Sequence, residues 1–338
     1  MTMLVDSNLL SPITDTKTKA AALEAAGFDG LWLGETKHEP FLQLLHAADA
    51  TERISIGTGV AIAFARTPMT LATAGFDMAR YAQGRFVLGL GSQVKPHITK
   101  RFSMPWSHPA ARMRELVLAT RAIWDAWQGV APLDFRGEFY THTLMTPFFA
   151  PPAHEFGPPP IYLAGVGKLT TEVAGEVCDG FLYHPFTTEQ YLREVTLPAL
   201  GRGRAKAGKH DLDGFAVCGP AFTCTGRDEA GLAEAIAGTK SQIAFYASTP
   251  AYKPVLDLHG WGDVQPLLSQ MTREGRWSEI GNLITDEMLH TFAVVGEPAV
   301  VGRALRERWA SVATRLTLYA TYPHDPSIWP EVIAAMHG

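Results

Sequence analysis

Eight apolar, strand-like runs recur along this chain, and most are followed by a stretch with helical spacing. The strand-like runs fall at residues 3–10, 28–35, 54–63, 85–92, 161–167, 180–185, 214–226 and 314–320. Helical segments are read at 15–26, 39–51, 68–83, 107–128, 169–178, 187–208, 228–246, 298–311 and 327–337. Such alternation implies parallel pairing, because parallel neighbours need a crossover connection. Two folds satisfy it: a closed barrel of eight β/α units, or an open doubly wound sheet. The count of eight, the even rhythm and the lack of an obvious linker favour the (β/α)8 TIM barrel, as one domain over residues 1–338. Two segments break the rhythm. Residues 129–160 hold a hairpin centred near Gly137 and a proline-rich loop, and residues 247–295 read as extra helices. Both are taken as insertions. Thr14 or Asp15 is expected to cap the first helix and Gly27 to end it.

The third run poses a puzzle. ISIGTGVAIA carries Gly57 and Gly59, and glycine weakens a strand interior because it packs nothing. Either the glycines mark a bulge or bend, or something flat lies against the backbone there.

Composition excludes several classes of partner. Hydrophobic residues make up 46% and charged residues 19%, which suits a chain with a sizeable core. A net charge of −5 gives no electrostatic footprint for nucleic acid. No apolar run approaches the roughly 20 residues of a membrane helix, and residues 1–10 lack the basic and apolar regions of a signal peptide. The expected partner is a small-molecule substrate. Cys178, Cys218 and Cys224, an odd number without paired spacing, read as reduced thiols in a cytoplasmic protein. No metal site is expected.

In a barrel the chemistry sits at the C-terminal ends of the strands. The loop after the second strand, residues 34–41, gathers Glu35, Lys37, His38 and Glu39. A carboxylate and an imidazole that close suit general acid–base work, although a solvated loop before a helix is the simpler reading. The loop after the fourth strand offers Ser92, Gln93 and Lys95 to a polar ligand tail, while Gly89 and Gly91 read most simply as barrel-packing glycines. After the fifth, AGVGKLT (164–170) joins a strand end to a helix start. Gly165 and Gly167 fit either an anion against free helix N–H groups or an ordinary tight turn. Phe41, Phe64, Trp106 and Phe148 are candidates for an apolar pocket wall, though aromatic residues are more often core.

Taken together, AAGFDGLWLGET (25–36), RISIGTGVAIAFARTPMTLA (53–72), GRFVLGLGSQ (84–93), FRGEFY (135–140) and PPIYLAGVGKLTTEVAGEVCDGF (159–181) resemble the luciferase-like monooxygenase and reductase superfamily almost end to end. Within it the chain is most similar to the branch that uses the deazaflavin coenzyme F420. That resemblance implies a hydride-transferring oxidoreductase and, by family habit, a homodimer. It implies a non-prolyl cis peptide at Gly59-Val60, with Gly59, Val60 and Ala61 behind the ring. It places the ring edge against Glu35 or Thr36, the tail past Gly91, Ser92 and Gln93, and the phosphate at Gly165, Val166, Gly167 and Lys168. His38, Glu35 and His97, in that order, are the candidates for proton transfer, with His184 a further one that reads more simply as a packed or capping residue.

The departures matter too. The loop after the second strand is one residue longer than in the family's sugar-phosphate dehydrogenases and ends in Phe41. Gly91-Ser92-Gln93-Val94 stands where those enzymes carry a catalytic glutamate, so their substrate is not carried over. The alternatives are an FMN-dependent monooxygenase of the same fold and a non-catalytic flavin or deazaflavin carrier.

Overall fold

The computed structural model describes residues 3–338, and its eight main strands close into a parallel ring. They are β1 (Leu4–Asn8), β2 (Gly30–Leu33), β3 (Ser55–Thr58, resuming as Ala61–Ile62), β4 (Phe86–Gly91), β5 (Ile161–Ala164), β6 (Gly180–Leu182), β7 (Ala216–Thr225) and β8 (Arg315–Tyr319). Each pairs with the next, and β8 pairs back onto β1, with Leu4 opposite Arg315. The open sheet is thereby excluded, and the fold is a TIM barrel.

The period of two along each strand sorts its side chains. Val5, Leu31, Ile56, Leu88, Leu163 and Leu316 face outward and are fully buried in the main core with the surrounding helices. Asp6, Trp32, Tyr162, Leu182, Cys218 and Arg315 face the barrel interior. At its heart lies an ion pair. Arg315 donates to both Asp6 carboxylate oxygens, at 2.7 and 2.8 Å, and Asp6 has no solvent exposure. The same carboxylate accepts the Trp32 indole N–H at 2.8 Å. Burial pulls the guanidinium pKa down, but the Asp6 charge and hydrogen bonds more than reverse this and raise it. Gly30 makes room for the pair: a Cβ there would lie 2.3 Å from the Arg315 guanidinium.

The glycines of the third run have two separate explanations. At Gly57 the flat object is part of the chain itself, since a Cβ would sit 2.3 Å from the Trp32 ring. After Thr58 the strand breaks at a cis Gly59-Val60 bond and resumes at Ala61. The Thr58 hydroxyl bridges the break, donating to the Gly89 carbonyl at 2.7 Å and accepting the Gly89 N–H at 2.9 Å. A side chain thus supplies the ladder bonds that the backbone cannot make there.

Two readings are corrected. Residues 247–295 contain helices at Lys253–Leu258, Val264–Arg273 and Asp286–Phe292, but also a strand, Ala293–Gly296. This strand pairs in parallel with the top of β7, Phe222 opposite Ala293. β6 pairs only with the bottom of β7, from Ala216 to Cys218. One edge of β7 therefore forks over residues 219–221, where Pro220 has no N–H to donate. The hairpin expected in the other insertion is present as a short antiparallel pair, Phe135–Arg136 against Thr141–His142. Neither Thr14 nor Asp15 caps the first helix, because Thr14 donates to the Asp15 side chain instead.

A second core underlies the 247–295 insertion and includes Phe186, Phe222, Leu256, Leu268 and Phe292. His184, just past β6, ties this layer to the barrel. The Phe186 N–H donates to its Nδ1 at 3.1 Å, so the neutral ring carries its proton on Nε2, 3.0 Å from the Tyr252 hydroxyl. Tyr252 stacks on the imidazole at 4.3 Å between centroids. Burial pushes the His184 pKa down to about 4.

Two predictions follow from these contacts. Arg315→Met should lower unfolding free energy by about 3–5 kcal/mol, because it strands a buried carboxylate. Adding Asp6→Leu should recover most of the loss in urea titrations; a double variant no more stable than the single would contradict the pairing. For His184, the neutral form is favoured in the folded state, so its contribution is complete above pH 6.5 and is lost as pH falls towards 4. Between pH 7.5 and 5 the native chain should lose about 2 kcal/mol more than His184→Gln. Equal losses would show that His184 titrates normally.

Candidate functional site

A cavity of about 500 Å³ opens at the C-terminal end of the barrel, and every strand reaches its wall. Asn8 comes from the end of β1, Trp32 from β2, and Gly59 and Val60 from the break in β3. Gly91 ends β4, Ala164 ends β5 and Leu182 ends β6; Pro220 lies within β7 and Thr317 within β8. The floor is set from below, because Trp32 is held by the Asp6–Arg315 pair. The β3 break exposes backbone: Gly59 is solvent-accessible within an otherwise buried strand. Above it lie Ser92 and Gln93. The Ser92 hydroxyl donates to the Gln93 carbonyl at 3.1 Å, and Gln93, at φ 60°, accepts the Val94 N–H on its own side chain at 2.9 Å.

On the facing side, Gly165, Val166 and Gly167 line the mouth. Gly167 is the N-cap of helix Lys168–Val177 and offers no capping side chain. The first N–H groups of that helix are therefore left for solvent or a ligand, with open space where a Cβ would stand at Gly167. Lys168 itself is exposed and off the cavity wall.

The other sequence candidates lie elsewhere. Glu35 is occupied: its carboxylate accepts the Ile62 N–H at 2.8 Å and the Arg66 guanidinium at 2.6 Å. Arg66 also donates to Glu39 at 2.5 Å, so the three side chains clamp the loop after β2 to the loop after β3. Ala61 is buried in the resumed strand opposite Leu90. Thr36 is exposed, and its carbonyl accepts from Arg101 at 2.6 Å. His38 and His97 are exposed on their loops and absent from the cavity wall. Of the four aromatic candidates, Phe64 packs in the core edge-on to Trp106, Phe41 packs near Phe86, and Phe148 points to solvent.

Sequence reading passed over Asn8, Trp32, Pro220 and Thr317. Asn8 carried a usable signal, as a polar residue at the C-terminal end of an apolar strand. Thr317 carried none, since threonine is an ordinary strand residue. No Asp, Glu, Lys or Arg lines the cavity among the described residues. Its one histidine is His184, with both nitrogens already hydrogen-bonded. Among the described residues no cluster of His, Cys, Asp or Glu could hold a metal, and no helix is long and apolar enough to cross a membrane.

The whole chain has counterparts among known proteins. An uncharacterised protein of Mycobacterium tuberculosis is 50% identical over 312 residues, 92% of both chains. A putative coenzyme F420-dependent oxidoreductase of the same organism is 27% identical over 295 residues, 82% of both chains. The coenzyme F420-dependent tetrahydromethanopterin reductase of Methanopyrus kandleri superposes with a TM-score of 0.80 at 20% identity, covering 98% of this chain and 97% of that one. The oxygenating constituent of 3,6-diketocamphane monooxygenase of Pseudomonas putida, solved with FMN, gives 0.68 at 16% identity, covering 99% and 98%. These two structures speak to fold alone. The profile of the luciferase-like monooxygenase family matches residues 3–315, and the chain belongs to that family.

Proposed function

We propose that this chain is a coenzyme F420-dependent oxidoreductase, moving a hydride between carbon 5 of the deazaflavin and a small organic substrate. The observation that carries the reading is the shape and chemistry of the cavity. One wall is exposed backbone at Gly59-Val60, the opposite mouth is an uncapped helix N-terminus at Gly167, and the space between is uncharged. These features fit a flat ring bearing a phosphate. The ring would lie against Gly59 and Val60, and the phosphate would accept N–H groups from Gly167 and Lys168. A relative named as a putative coenzyme F420-dependent oxidoreductase, 27% identical, and one named as an F420-dependent glucose-6-phosphate dehydrogenase, 30% identical over 186 residues, support the same choice. When bound, the deazaflavin supplies two-electron hydride chemistry, and the protein supplies binding, orientation and exclusion of water.

The chain's own residues divide that work. Trp32, fixed by Asp6, forms a rigid wall. The Glu35–Arg66–Glu39 clamp holds the two loops that frame the β3 break. Glu35 is thus a positioning residue, its carboxylate committed to Arg66 and the Ile62 N–H.

Titration of the purified chain with F420 and, separately, FMN, followed by tryptophan fluorescence, tests the proposal. Micromolar or tighter binding of F420 with quenching, much reduced in Trp32→Phe, is the expected result. Preference for FMN would overturn it in favour of oxygen-using chemistry. Once a substrate is in hand, His38→Ala should leave turnover within about twofold, since the side chain is exposed and absent from the cavity wall, so its loss removes no transition-state contact. A hundredfold loss would bring that loop over the cavity and restore His38 to the mechanism.

A further inference from the structure

Two side chains at the bottom of the cavity have no partner. Thr317 is 4% exposed, and its hydroxyl makes no hydrogen bond with any described residue. Asn8 is half-buried, and its side-chain amide likewise has no partner among the described residues. They sit on adjacent strands. Asp6 pairs with Thr317, and Asn8 is two residues further along the same face of β1. Their surroundings are apolar or backbone: Trp32, Leu182, Ala164 and Pro220. Both face the space of the cavity, where water is their only possible partner, so an occupant with hydrogen-bonding capacity can take that water's place.

The chemistry of that occupant is constrained from three directions. An amide and a hydroxyl both donate and accept, so they hold a carbonyl oxygen and a hydroxyl equally well. Neither carries charge, and among the described residues no Asp, Glu, Lys or Arg lines the wall. The one pair of charges beneath the floor, Asp6 and Arg315, satisfies itself bidentately and presents no net charge to the cavity. A carboxylate or phosphate lowered to this depth would lose its hydration without gaining a counter-charge.

We propose that Asn8 and Thr317 form a subsite for the oxygen of an uncharged carbonyl compound or alcohol, and that the floor rejects phosphorylated and carboxylated substrates. Anions are confined to the mouth, at Gly165–Gly167. The inference rests on the oxidoreductase reading for what the site does with that oxygen, but not for which molecules bind.

The test is saturation-transfer NMR with two probes of one ring size, cyclohexanone and cyclohexanecarboxylate. The chain is used loaded with whichever of F420 or FMN binds, or bare if neither does. Cyclohexanone should bind, and cyclohexanecarboxylate should bind at least ~100-fold more weakly. The isosteric change Thr317→Val, alone and combined with Asn8→Leu, should weaken cyclohexanone about tenfold in the double variant while cofactor affinity stays within twofold. Thr317→Val alone removes one polar atom and preserves shape, which keeps the test open if the double variant folds poorly. Equal binding of the two probes, or unchanged cyclohexanone affinity in the variants, overturns the subsite. Loss of cofactor affinity in Thr317→Val also overturns it, by assigning the floor to the cofactor ring. Failure of F420 to bind removes only the hydride-transfer reading, since the probe comparison stands on its own.

Discussion

A single carboxylate organises the inside of this barrel. Asp6 accepts two bonds from Arg315 and one from Trp32, and so couples β1, β2 and β8 at the point where the ring closes. Ion pairs buried this way rarely add net stability over well-packed apolar groups. Their effect here is geometric. The guanidinium can lie only where Gly30 leaves space, and the indole only where Gly57 does. Small residues on one strand thus define where large polar ones from neighbouring strands must lie. The cavity floor inherits its shape from that fit.

Above the floor, the barrel departs from regularity in ways that serve the opening. β3 breaks at Gly59-Val60, and the Thr58 hydroxyl restores the lost ladder bonds to Gly89. The break leaves the exposed Gly59 backbone and the Val60 side chain as the wall. The Glu35–Arg66–Glu39 clamp braces the same region from outside. On the opposite rim, a glycine N-cap leaves helix N–H groups free. Each device removes a side chain where a ligand must come close and places the compensating polar contact elsewhere.

The architecture was legible in the sequence because it repeats. Eight apolar runs with helical spacers sufficed to choose the barrel, and the glycine-rich strand ends marked the right face of it. The outer strand Ala293–Gly296 escaped because four residues are too few to show a period. Site residues were harder. His38, His97 and Glu35 drew attention as chemically active types in the right loops, but the sequence could not show that Arg66, 31 positions on, claims the Glu35 carboxylate. Asn8 and Thr317 are the opposite case. Neither looks reactive, and they become neighbours only when the first and last strands meet. A ring closed by its two ends hides such pairs from any reading along the chain.

The forked edge of β7 has a bearing on how such a protein can diverge. Its lower half belongs to the barrel and its upper half to the 247–295 layer, with Gly219 and Pro220 between them at the cavity wall. Each layer keeps its own core. The doorway can therefore be rebuilt by lengthening, shortening or tilting the outer layer, while the floor beneath stays fixed. A lineage carrying this fork has two separately adjustable parts: a lower one that sets which functional group is held, and an upper one that sets how large a molecule can bring it there.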